Sequence, residues 1–491
     1  MKSAADLPDA HLRTFDRPPL PPSDAIDDVY LIGICGTGMG ALAGLFRQAG
    51  YAVRGSDEAA YPPMSTHLAD QGIPVLEGYD PAHLDPPPDL TIVGNACTPT
   101  HPEATTAREG RYPQASFPEA LGHYVLDDPS RRSIVVAGTH GKTTTTGLVV
   151  HLLETAGLQP GFLVGGVMQG RNTSYTLGQG APFVVEGDEY DSAYFDKRPK
   201  FVHYRPHRAI VTSLEFDHAD IYDGLADYQR AFEHFVDLLP SDAGPLALCG
   251  DHKTVRALAA HTRAPVRTYG LAPHNDVSAT HVQPTAQGQS FTLVIDDTMY
   301  TSVHLPLHGR HNLQNALGAA VIARAEGASV DQIADGLSSF AGMKRRQTVR
   351  GEPGGVLVID DFAHHPTAVS LTLEGLRTAH PDRRLLAVFE PRSNSSRRKV
   401  FETAYAHAFD AADQVFLKAP PVRHNDEAAT MLDPETVVRR LREQHIPAWA
   451  FADVDALLPR LLENTRSGDV AVLMSNGSFD GLHDQLLDAL G

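Results

Sequence analysis

A short glycine-rich loop near residue 140 constrains the fold of this chain more than any other feature. It reads Gly138-Thr139-His140-Gly141-Lys142-Thr143-Thr144 and separates an apolar run at 133–137 from another at 147–153. The two runs predict a buried strand followed by a helix. A glycine loop at such a junction leaves backbone N–H groups free to face an anion, and the helix dipole adds to the attraction.

The Gly141-Lys142-Thr143 step predicts a nucleoside triphosphate site. A lysine here reaches the outer phosphates, and the threonine hydroxyl binds Mg²⁺. The first arm of the loop is shorter than usual, because residue 136 is valine and the nearest upstream glycine is Gly138. The alternative is a threonine-rich helix start after a tight turn.

Two acidic stretches follow later strands of the same region. The apolar run 183–185 leads into acidic residues at 186–191, and the run 209–212 leads into residues 215–220, which include His218. Carboxylates at the carboxyl end of a strand beside a phosphate loop suit Mg²⁺. The first stretch is either a metal site or a solvated acidic turn, and His218 is either a second metal ligand or a structural histidine.

The N-terminal part of the chain carries a second nucleotide motif. After the apolar run 29–34, residues 36–41 fit the pattern G-x-G-x-x-A, and Asp57 follows the next predicted strand. An acidic residue about twenty positions after the glycines commonly binds a ribose. Taken alone, this unit predicts an NAD-dependent oxidoreductase, a function that leaves the phosphate loop unexplained.

Other polar groups have two readings each. His311, Asn312 and Asn315 lie at the start of a predicted helix and either cap it or hydrogen-bond a base edge.

A basic cluster at 197–208 is either a solvated edge or a contact for a phosphate- or carboxylate-bearing substrate. Strands predicted at 356–359, 385–389, 414–417 and 470–473 each end in a polar loop, where open parallel sheets bind ligands. Within the first of these loops, a turn stabilised by Pro366 is favoured over a two-histidine metal site.

Charge and composition argue against several classes of partner. The net charge of −19 opposes non-specific binding to nucleic acid, and no apolar run reaches membrane-spanning length. The N-terminus lacks the order of a signal peptide, and Cys35, Cys97 and Cys249 form no metal spacing. We expect a cytoplasmic protein whose partners are neither nucleic acid nor membrane.

The order of these elements predicts an α/β chain of three domains. A polar, proline-bearing tail occupies residues 1–27. A Rossmann-like domain is expected at 28–129, a central phosphate-loop ATPase-type domain at 130–345, and a second Rossmann-like domain at 346–491.

Four motifs together resemble those of the ATP-dependent muramyl (Mur) ligase family of peptidoglycan synthesis. They are the shortened loop at 138–145, the acidic stretch at 186–191, His-Asn-x-x-Asn at 311–315 and Asp-Asp-Phe-Ala-His-His-Pro at 360–366. The resemblance covers essentially everything after the tail, and the shortened loop is part of the family pattern. It implies an enzyme rather than a non-catalytic nucleotide-binding module.

The resemblance implies a ligase that forms a C–N bond and uses ATP and Mg²⁺. In this family the lactyl carboxylate of UDP-N-acetylmuramate takes the γ-phosphate, and an amine then displaces phosphate from the acyl phosphate. Two branches share the histidine-pair loop: one adds L-alanine, and the other adds the recycled tripeptide L-alanyl-γ-D-glutamyl-meso-diaminopimelate. The second branch is resembled more closely at 33–37, 61–66, 94–96, 194–198, 200–204, 215–220, 390–394 and 474–477. We therefore expect the murein tripeptide as amine donor, with L-alanine as the alternative.

The resemblance also implies roles for individual residues. Lys142, Arg346 and His364 are expected to act in catalysis at the phosphates. Thr143 and Glu186 are expected to bind one Mg²⁺, and His218 is expected to act in catalysis at a second one.

Binding residues are implied in the same way. The expected nucleotide site comprises Gly138, Thr139, His140, Gly141, Lys142, Thr143 and Thr144, with His311, Asn312 and Asn315 at the adenine and Asp361 at the ribose. The expected site for the UDP end comprises Gly36, Thr37, Gly38, Met39 and Asp57. Arg392 and Asn476 are expected to bind the carboxylates of the peptide.

One departure from the family concerns a carbamylated lysine. Several members carry it on the helix after the motif that contains His218, a place that falls near Glu233 in this chain. Glu233 is either a native carboxylate in the same role or an exposed helix residue.

Overall fold

The computed structural model describes residues 3–62, 64–218, 220–422 and 430–491. Pro63 and Ala219, which belong to two of the stretches quoted above, lie outside the described residues. No helix in the described ranges is both long enough and apolar enough to cross a membrane.

The first domain is built on five parallel strands in the order β3-β2-β1-β4-β5. The strands are β1 Asp28–Ile32, β2 Ala52–Asp57, β3 Val75–Glu77, β4 Leu90–Val93 and β5 Gln114–Ser116. The helices are α1 Ala10–Arg13, α2 Thr37–Gln48, α3 Met64–Asp70, α4 Pro102–Glu109 and α5 Phe117–Leu121. The strand order reverses at β1, and α2 begins at that carboxyl edge, where open parallel sheets bind ligands.

The central domain contains a ten-stranded sheet in the order β15-β14-β13-β12-β11-β10-β6-β9-β7-β8. The strands are β6 Arg132–Ala137, β7 Gly161–Leu163, β8 Tyr175–Thr176, β9 Pro182–Glu186, β10 Arg208–Val211, β11 Leu246–Cys249, β12 Val266–Gly270, β13 Val277–Thr285, β14 Gly288–Ile295 and β15 Thr298–Leu305. The helices are α6 Lys142–Thr155, α7 Leu225–Asp237, α8 Lys253–Ala257, α9 Arg310–Ala325 and α10 Val330–Ser339. Strands β7, β9, β6 and β10 to β13 are parallel, and β8, β14 and β15 pair antiparallel.

The third domain has six strands in the order β16-β17-β21-β18-β19-β20, of which β16 alone among the described strands pairs antiparallel. The strands are β16 Thr348–Gly351, β17 Leu357–Asp361, β18 Leu385–Phe389, β19 Gln414–Lys418, β20 Ala448–Phe451 and β21 Val470–Met474. The helices are α11 Pro366–Ala379, α12 Glu402–Ala408, α13 Pro434–Glu443, α14 Val454–Asn464 and α15 Leu482–Leu490. The predicted α/β class with three domains is therefore confirmed.

The three domains differ in whether they share a hydrophobic core. One continuous core runs from Ile26 in the first domain to Met343 at the end of the central domain. The third domain has separate apolar clusters on the two faces of its sheet. The N-terminal residues also pack onto this body, since Arg17 forms an ion pair with Glu119 at 2.8 Å and Phe15 stacks on Tyr194.

Candidate active site

Strand β6 and helix α6 enclose the predicted phosphate loop. The strand ends at Ala137 and the helix begins at Lys142, as the two apolar runs predict. Gly141 is the residue before the helix and has a φ of 81°. A Cβ atom at this position would lie 2.5 Å from Oδ1 of Asn315. The turn therefore requires glycine both for its backbone angle and for the close approach of helix α9.

Lys142 folds back onto its own loop and onto an acidic neighbour. Its ammonium donates to the Gly138 carbonyl at 2.6 Å and to Oε1 and Oε2 of Glu189 at 3.0 and 2.9 Å. Burial alone would lower the pKa of Lys142, but the charges of Glu189 and Asp188 outweigh burial and raise it. The lysine is therefore a buried, charged group.

Thr143 and Glu186 form the first part of the predicted metal site. The Thr143 hydroxyl donates to Glu186 Oε1 at 3.0 Å, and the Gly165 N–H donates to Oε2 at 2.8 Å. Burial raises the pKa of Glu186 above its ordinary value. A hydroxyl beside a carboxylate at the start of the helix is a donor set that suits Mg²⁺.

His218 belongs to a second cluster with Asp188 and Glu189. The ligand atoms of these three residues lie within 4.8 Å of one another, and His218 Nε2 donates to Glu189 Oε1 at 3.1 Å. Burial alone would lower the pKa of His218, but this hydrogen bond and the charge of Asp217 raise it to about 9. The expected metal ligands thus fall into two groups, with Lys142 between them. The acidic stretch predicted a site here, but sequence reasoning assigned no separate role to Asp188 or Glu189.

One cavity collects most of the residues expected at the nucleotide. It has an empty volume of about 820 Å³, which includes open solvent, and lies between the phosphate loop, α9 and the start of the third domain. The expected residues that line it are His140, Gly141, Thr143, Thr144, His311, Asn312, Asn315, Arg346 and Asp361. A concave site between two domains with several convergent polar groups is a typical place for a small molecule to bind.

The polar side chains at the start of α9 are held by local hydrogen bonds. Asn312 Nδ2 donates to the His308 carbonyl at 2.8 Å, and Asn315 Nδ2 donates to Asn312 Oδ1 at 3.3 Å. Burial lowers the pKa of His311 to about 4, so its imidazole is neutral at physiological pH. His311 Nδ1 has no hydrogen-bond partner among the described residues. An unpaired ring nitrogen at the cavity wall is a suitable contact for a base edge.

The third domain contributes Arg346 and Asp361. Arg346 Nη2 donates to the Thr143 hydroxyl at 3.3 Å, which links the two sides of the cavity. Asp361 accepts backbone N–H groups of Gln347 at 2.8 Å and Ala363 at 2.7 Å. The carboxylate therefore shapes the loop that it belongs to as well as facing the cavity.

The two adjacent histidines point to different partners. His364 Nδ1 lies 3.1 Å from the Phe362 carbonyl, and the described cavity lining does not include this residue. His365 accepts the Thr367 N–H at the start of α11, and its ring lies 4.5 Å from that of His140. The turn before Pro366 therefore leads into helix α11, and the sequence favoured such a turn over a two-histidine metal site. Burial lowers the pKa of both histidines to about 4.

Glu215 joins the phosphate loop to the third domain, a contact that sequence reasoning missed. Glu215 Oε2 accepts from the Thr367 hydroxyl at 2.7 Å and lies 3.2 Å from Nε2 of His140. Burial alone would raise the pKa of Glu215, but the His140 hydrogen bond and charge lower it to about 2. No spacing in the sequence relates residue 215 to residue 367.

The residues expected at the UDP end lie apart from this cavity, in the first domain. Gly36, Thr37 and Gly38 are exposed at the start of α2, and Met39 is buried. Asp57 Oδ2 accepts the Cys35 N–H at 2.8 Å, so this carboxylate holds the glycine loop.

The residues expected at the peptide lie at the carboxyl edge of the third sheet. Arg392 Nη1 lies 3.6 Å from Glu390 Oε1 and 3.7 Å from Asp480 Oδ1. The Arg392 side chain packs against Gly477, where any Cβ atom would overlap it. Asn476 Oδ1 is buried and finds no hydrogen-bond partner in the described part of the chain.

Most of the basic cluster at 197–208 is engaged in ion pairs, and the side chains of Arg198 and Arg205 are exposed. Its members pair with acidic residues of the same chain: Lys197 with Asp191, Arg198 with Asp196, Lys200 with Asp188, Arg205 with Asp127 and Arg208 with Glu326. The pairs of Lys197 and Lys200 contact the acidic stretch at Asp191 and Asp188.

The structure does not bring Glu233 to the metal clusters. Glu233 is partly exposed on α7, where its Oε1 lies 3.7 Å from Nε2 of His261. The same helix instead directs Tyr228 inward, and the Tyr228 hydroxyl donates to Glu189 Oε1 at 3.0 Å. The two positions are five residues apart and lie on different faces of a helix.

Known protein families match the chain in three consecutive segments. Residues 28–128 match "Mur ligase family, catalytic domain", residues 136–323 match "Mur ligase middle domain", and residues 344–477 match "Mur ligase, glutamate ligase domain".

Individual relatives match almost the full length. An Escherichia coli (strain K12) protein, the UDP-N-acetylmuramate–L-alanyl-γ-D-glutamyl-meso-2,6-diaminoheptandioate ligase, is 40% identical over 94% of this chain and 98% of its own. A Chromobacterium violaceum UDP-N-acetylmuramate–L-alanine ligase is 34% identical over 92% and 96%. The crystal structure of a murein peptide ligase from Psychrobacter arcticus 273-4 is 36% identical, covers 95% of this chain and 99% of its own, and has a TM-score of 0.71.

Proposed function

Because this chain belongs to the Mur ligase family, we propose that it joins L-alanyl-γ-D-glutamyl-meso-diaminopimelate to the lactyl carboxylate of UDP-N-acetylmuramate with ATP. The observation that carries the proposal is the similarity to the Escherichia coli ligase of that name over nearly the whole chain. The reaction recycles a murein peptide and uses ATP, so we expect it in the cytoplasm.

The first chemical step activates the carboxylate. A lactyl carboxylate oxygen attacks the γ-phosphorus of ATP, the bond to the β-phosphate breaks, and an acyl phosphate and ADP result. We propose that Lys142 binds the transferring phosphate and that Arg346 supplies a second positive charge. These groups act by position and charge and not as nucleophiles.

The residues beside the cavity suit the nucleotide. Buried, unpaired His311 Nδ1 suits the base, and the glycine loop at the N-terminus of α6 suits the phosphates. We propose that Thr143 and Glu186 hold one Mg²⁺ and that His218 contributes to a second site. Magnesium bound there would neutralise negative charge on the phosphates.

The second chemical step forms the amide. The free α-amine of the peptide attacks the acyl carbon, phosphate leaves, and the nitrogen loses one proton. We propose that Gly36 to Met39 and Asp57 hold the UDP end, and that Arg392 and Asn476 bind peptide carboxylates. The amine donor is therefore selected in the third domain.

A competition between amine donors tests this proposal. Purified protein with ATP, Mg²⁺ and UDP-N-acetylmuramate is expected to release phosphate with the tripeptide and far less with L-alanine. The similarity to the Chromobacterium violaceum enzyme makes L-alanine the relevant competitor. A preference for L-alanine would replace the tripeptide in this proposal, and NADH binding without ATP turnover would overturn it.

A further inference from the structure

Glu189 lies completely buried between two residues that the proposed mechanism uses. Its carboxylate accepts two hydrogen bonds from Lys142, one from His218 and one from the Tyr228 hydroxyl. The Tyr222 hydroxyl donates to its backbone carbonyl at 2.7 Å. The proposed function gives this residue no role.

The hydrogen bonds of Lys142 leave no donor for a phosphate. An ammonium group has three N–H donors. In the structure the closest acceptors are the Gly138 carbonyl and both oxygens of Glu189, all within 3.0 Å, and the Thr139 carbonyl lies farther away at 3.4 Å. A phosphate oxygen can therefore bind Lys142 only if an existing acceptor is displaced.

Glu189 is the acceptor that can give up its bonds. The Gly138 carbonyl is fixed in the backbone of the loop, whereas both oxygens of Glu189 share the ammonium. After Lys142 leaves, Oε1 keeps its bonds from His218 at 3.1 Å and from Tyr228 at 3.0 Å. The side chain therefore stays in place while Oε2 becomes free.

We propose that Glu189 is a positioning residue that holds the Lys142 ammonium in the nucleotide-free protein and exchanges it for phosphate when ATP binds. This inference rests on the proposed function, because it takes Lys142 as the phosphate-binding lysine. The Glu189–His218 bond, which the exchange does not break, keeps the imidazole oriented through the reaction.

Glu189→Gln separates this role from a structural one. In the wild-type protein, ATP must break a charged pair before it binds Lys142; in the variant it does not. We expect the Kd for ATP, measured by calorimetry with EDTA and no divalent cation, to fall about tenfold. Turnover with Mg²⁺ is expected to fall about 10- to 100-fold, because His218 loses its charged partner. If Glu189 acted only in folding, the variant would bind ATP more weakly and would also turn over more slowly.

Asp191→Asn is the matched control for charge. It removes one negative charge from the same acidic stretch, at a residue whose partner is Lys197 and not Lys142. Its Kd for ATP is expected to change less than about threefold. If the Gln variant does not fold, Glu189→Asp keeps the charge, shortens the reach to Lys142, and is expected to tighten ATP binding by a smaller factor.

Two results would overturn the inference. One is weaker ATP binding in both Glu189 variants, and the other is equal tightening in Glu189→Gln and Asp191→Asn. Either would leave the proposed function intact if the wild-type protein binds ATP and releases phosphate. Absence of ATP binding by the wild-type protein would instead contradict the proposed function itself.

Discussion

Gly141 shows how one residue serves both the phosphate loop and the opposite wall of the cavity. Its φ of 81° lies in the left-handed region, and a Cβ atom would lie 2.5 Å from Asn315 Oδ1. Gly157 has a similar φ of 78°, but no other group of the described structure lies within 4 Å of the place of its Cβ. Alanine substitutions at Gly141 and Gly157 therefore separate the effect of backbone strain from that of steric overlap.

Gly141→Ala is expected to lower kcat/KM for ATP at least about 100-fold, because both the loop and Asn315 must shift. Gly157→Ala imposes the same left-handed strain, about 1–2 kcal/mol, and is expected to lower only the melting temperature. The measurements are steady-state phosphate release and thermal unfolding of both variants. Equal activity in the two variants would show that the Asn315 contact is unimportant.

Lys142→Ala tests whether the chain is an enzyme or a nucleotide-binding module. Removing the ammonium is expected to abolish phosphate release, while UDP-N-acetylmuramate binding survives because its expected site lies in the first domain. Release assays and calorimetry with the UDP-sugar measure the two effects. Retained turnover would remove Lys142 from the mechanism.

Residue patterns predicted the phosphate loop but not the partners of its side chains. The Gly-Lys-Thr order and the acidic stretch predicted a site because each directly follows a strand in the sequence. The bonds of Glu215 to His140 and Thr367 join residues far apart in sequence, so no sequence spacing predicts them. The pairs of Arg205 with Asp127 and of Arg208 with Glu326 were unpredictable for the same reason.

At the scale of elements, apolar runs predicted the buried central strands and missed the short or half-exposed ones. The strand expected at 385–389 is observed as β18 with the same bounds, and every residue of it is buried. Strands β3, β16 and β20 are only partly buried, and β5 has just three residues, so none forms a clear apolar run. Asp296 and Asp297 form the tight turn between the antiparallel strands β14 and β15, with φ of 49° and 60°.

The contact between α2 and β8 ties the first domain to the central one. Tyr175 of β8 packs directly on Gly44 of α2, where a Cβ atom would overlap the phenol, and its hydroxyl lies 2.8 Å from His67 Nε2. This contact belongs to the core that the two domains share.

Gly44→Ala is expected to lower the free energy of unfolding. Overpacking costs about 1–3 kcal/mol, which exceeds the gain of about 0.5–1 kcal/mol from replacing a glycine inside a helix. In a Tyr175→Ala background the overlap is absent, so the same change is expected to be neutral or stabilising. Denaturant unfolding of the four proteins measures this coupling, and additive effects would contradict it.

At the scale of the whole molecule, the first two domains share one hydrophobic core that the third does not join, and several polar bonds link the third to them. Besides the Glu215–Thr367 bond, the Ser395 hydroxyl oxygen accepts the His218 N–H at 3.1 Å, and Arg346 reaches Thr143. The Glu215–Thr367 and Arg346–Thr143 bonds join residues that line the cavity expected to hold ATP. Polar contacts without a shared core are the usual basis for domain motion, so we expect the third domain to move against the other two.

Thr367→Val tests whether the Glu215 contact holds the third domain closed. Valine keeps the shape of threonine but removes the donor to Glu215, a hydrogen bond to a charged group worth about 1.5–3 kcal/mol when buried and less at this partly exposed site. Because other bonds between the domains remain, we expect the closed form to become less populated without being lost. The radius of gyration from small-angle scattering is expected to rise, and turnover to fall about three- to tenfold.

Ser370→Ala supplies the control, because it removes a hydroxyl from the same helix whose bond at 2.9 Å goes to Glu374 on that helix. This variant is expected to match the wild-type protein in both measurements. ATP binds both sides of the cavity in the proposed complex, so saturating nucleotide is expected to restore the compact radius of Thr367→Val. A radius and a turnover equal to wild type in Thr367→Val would mean that the other contacts hold the domains together.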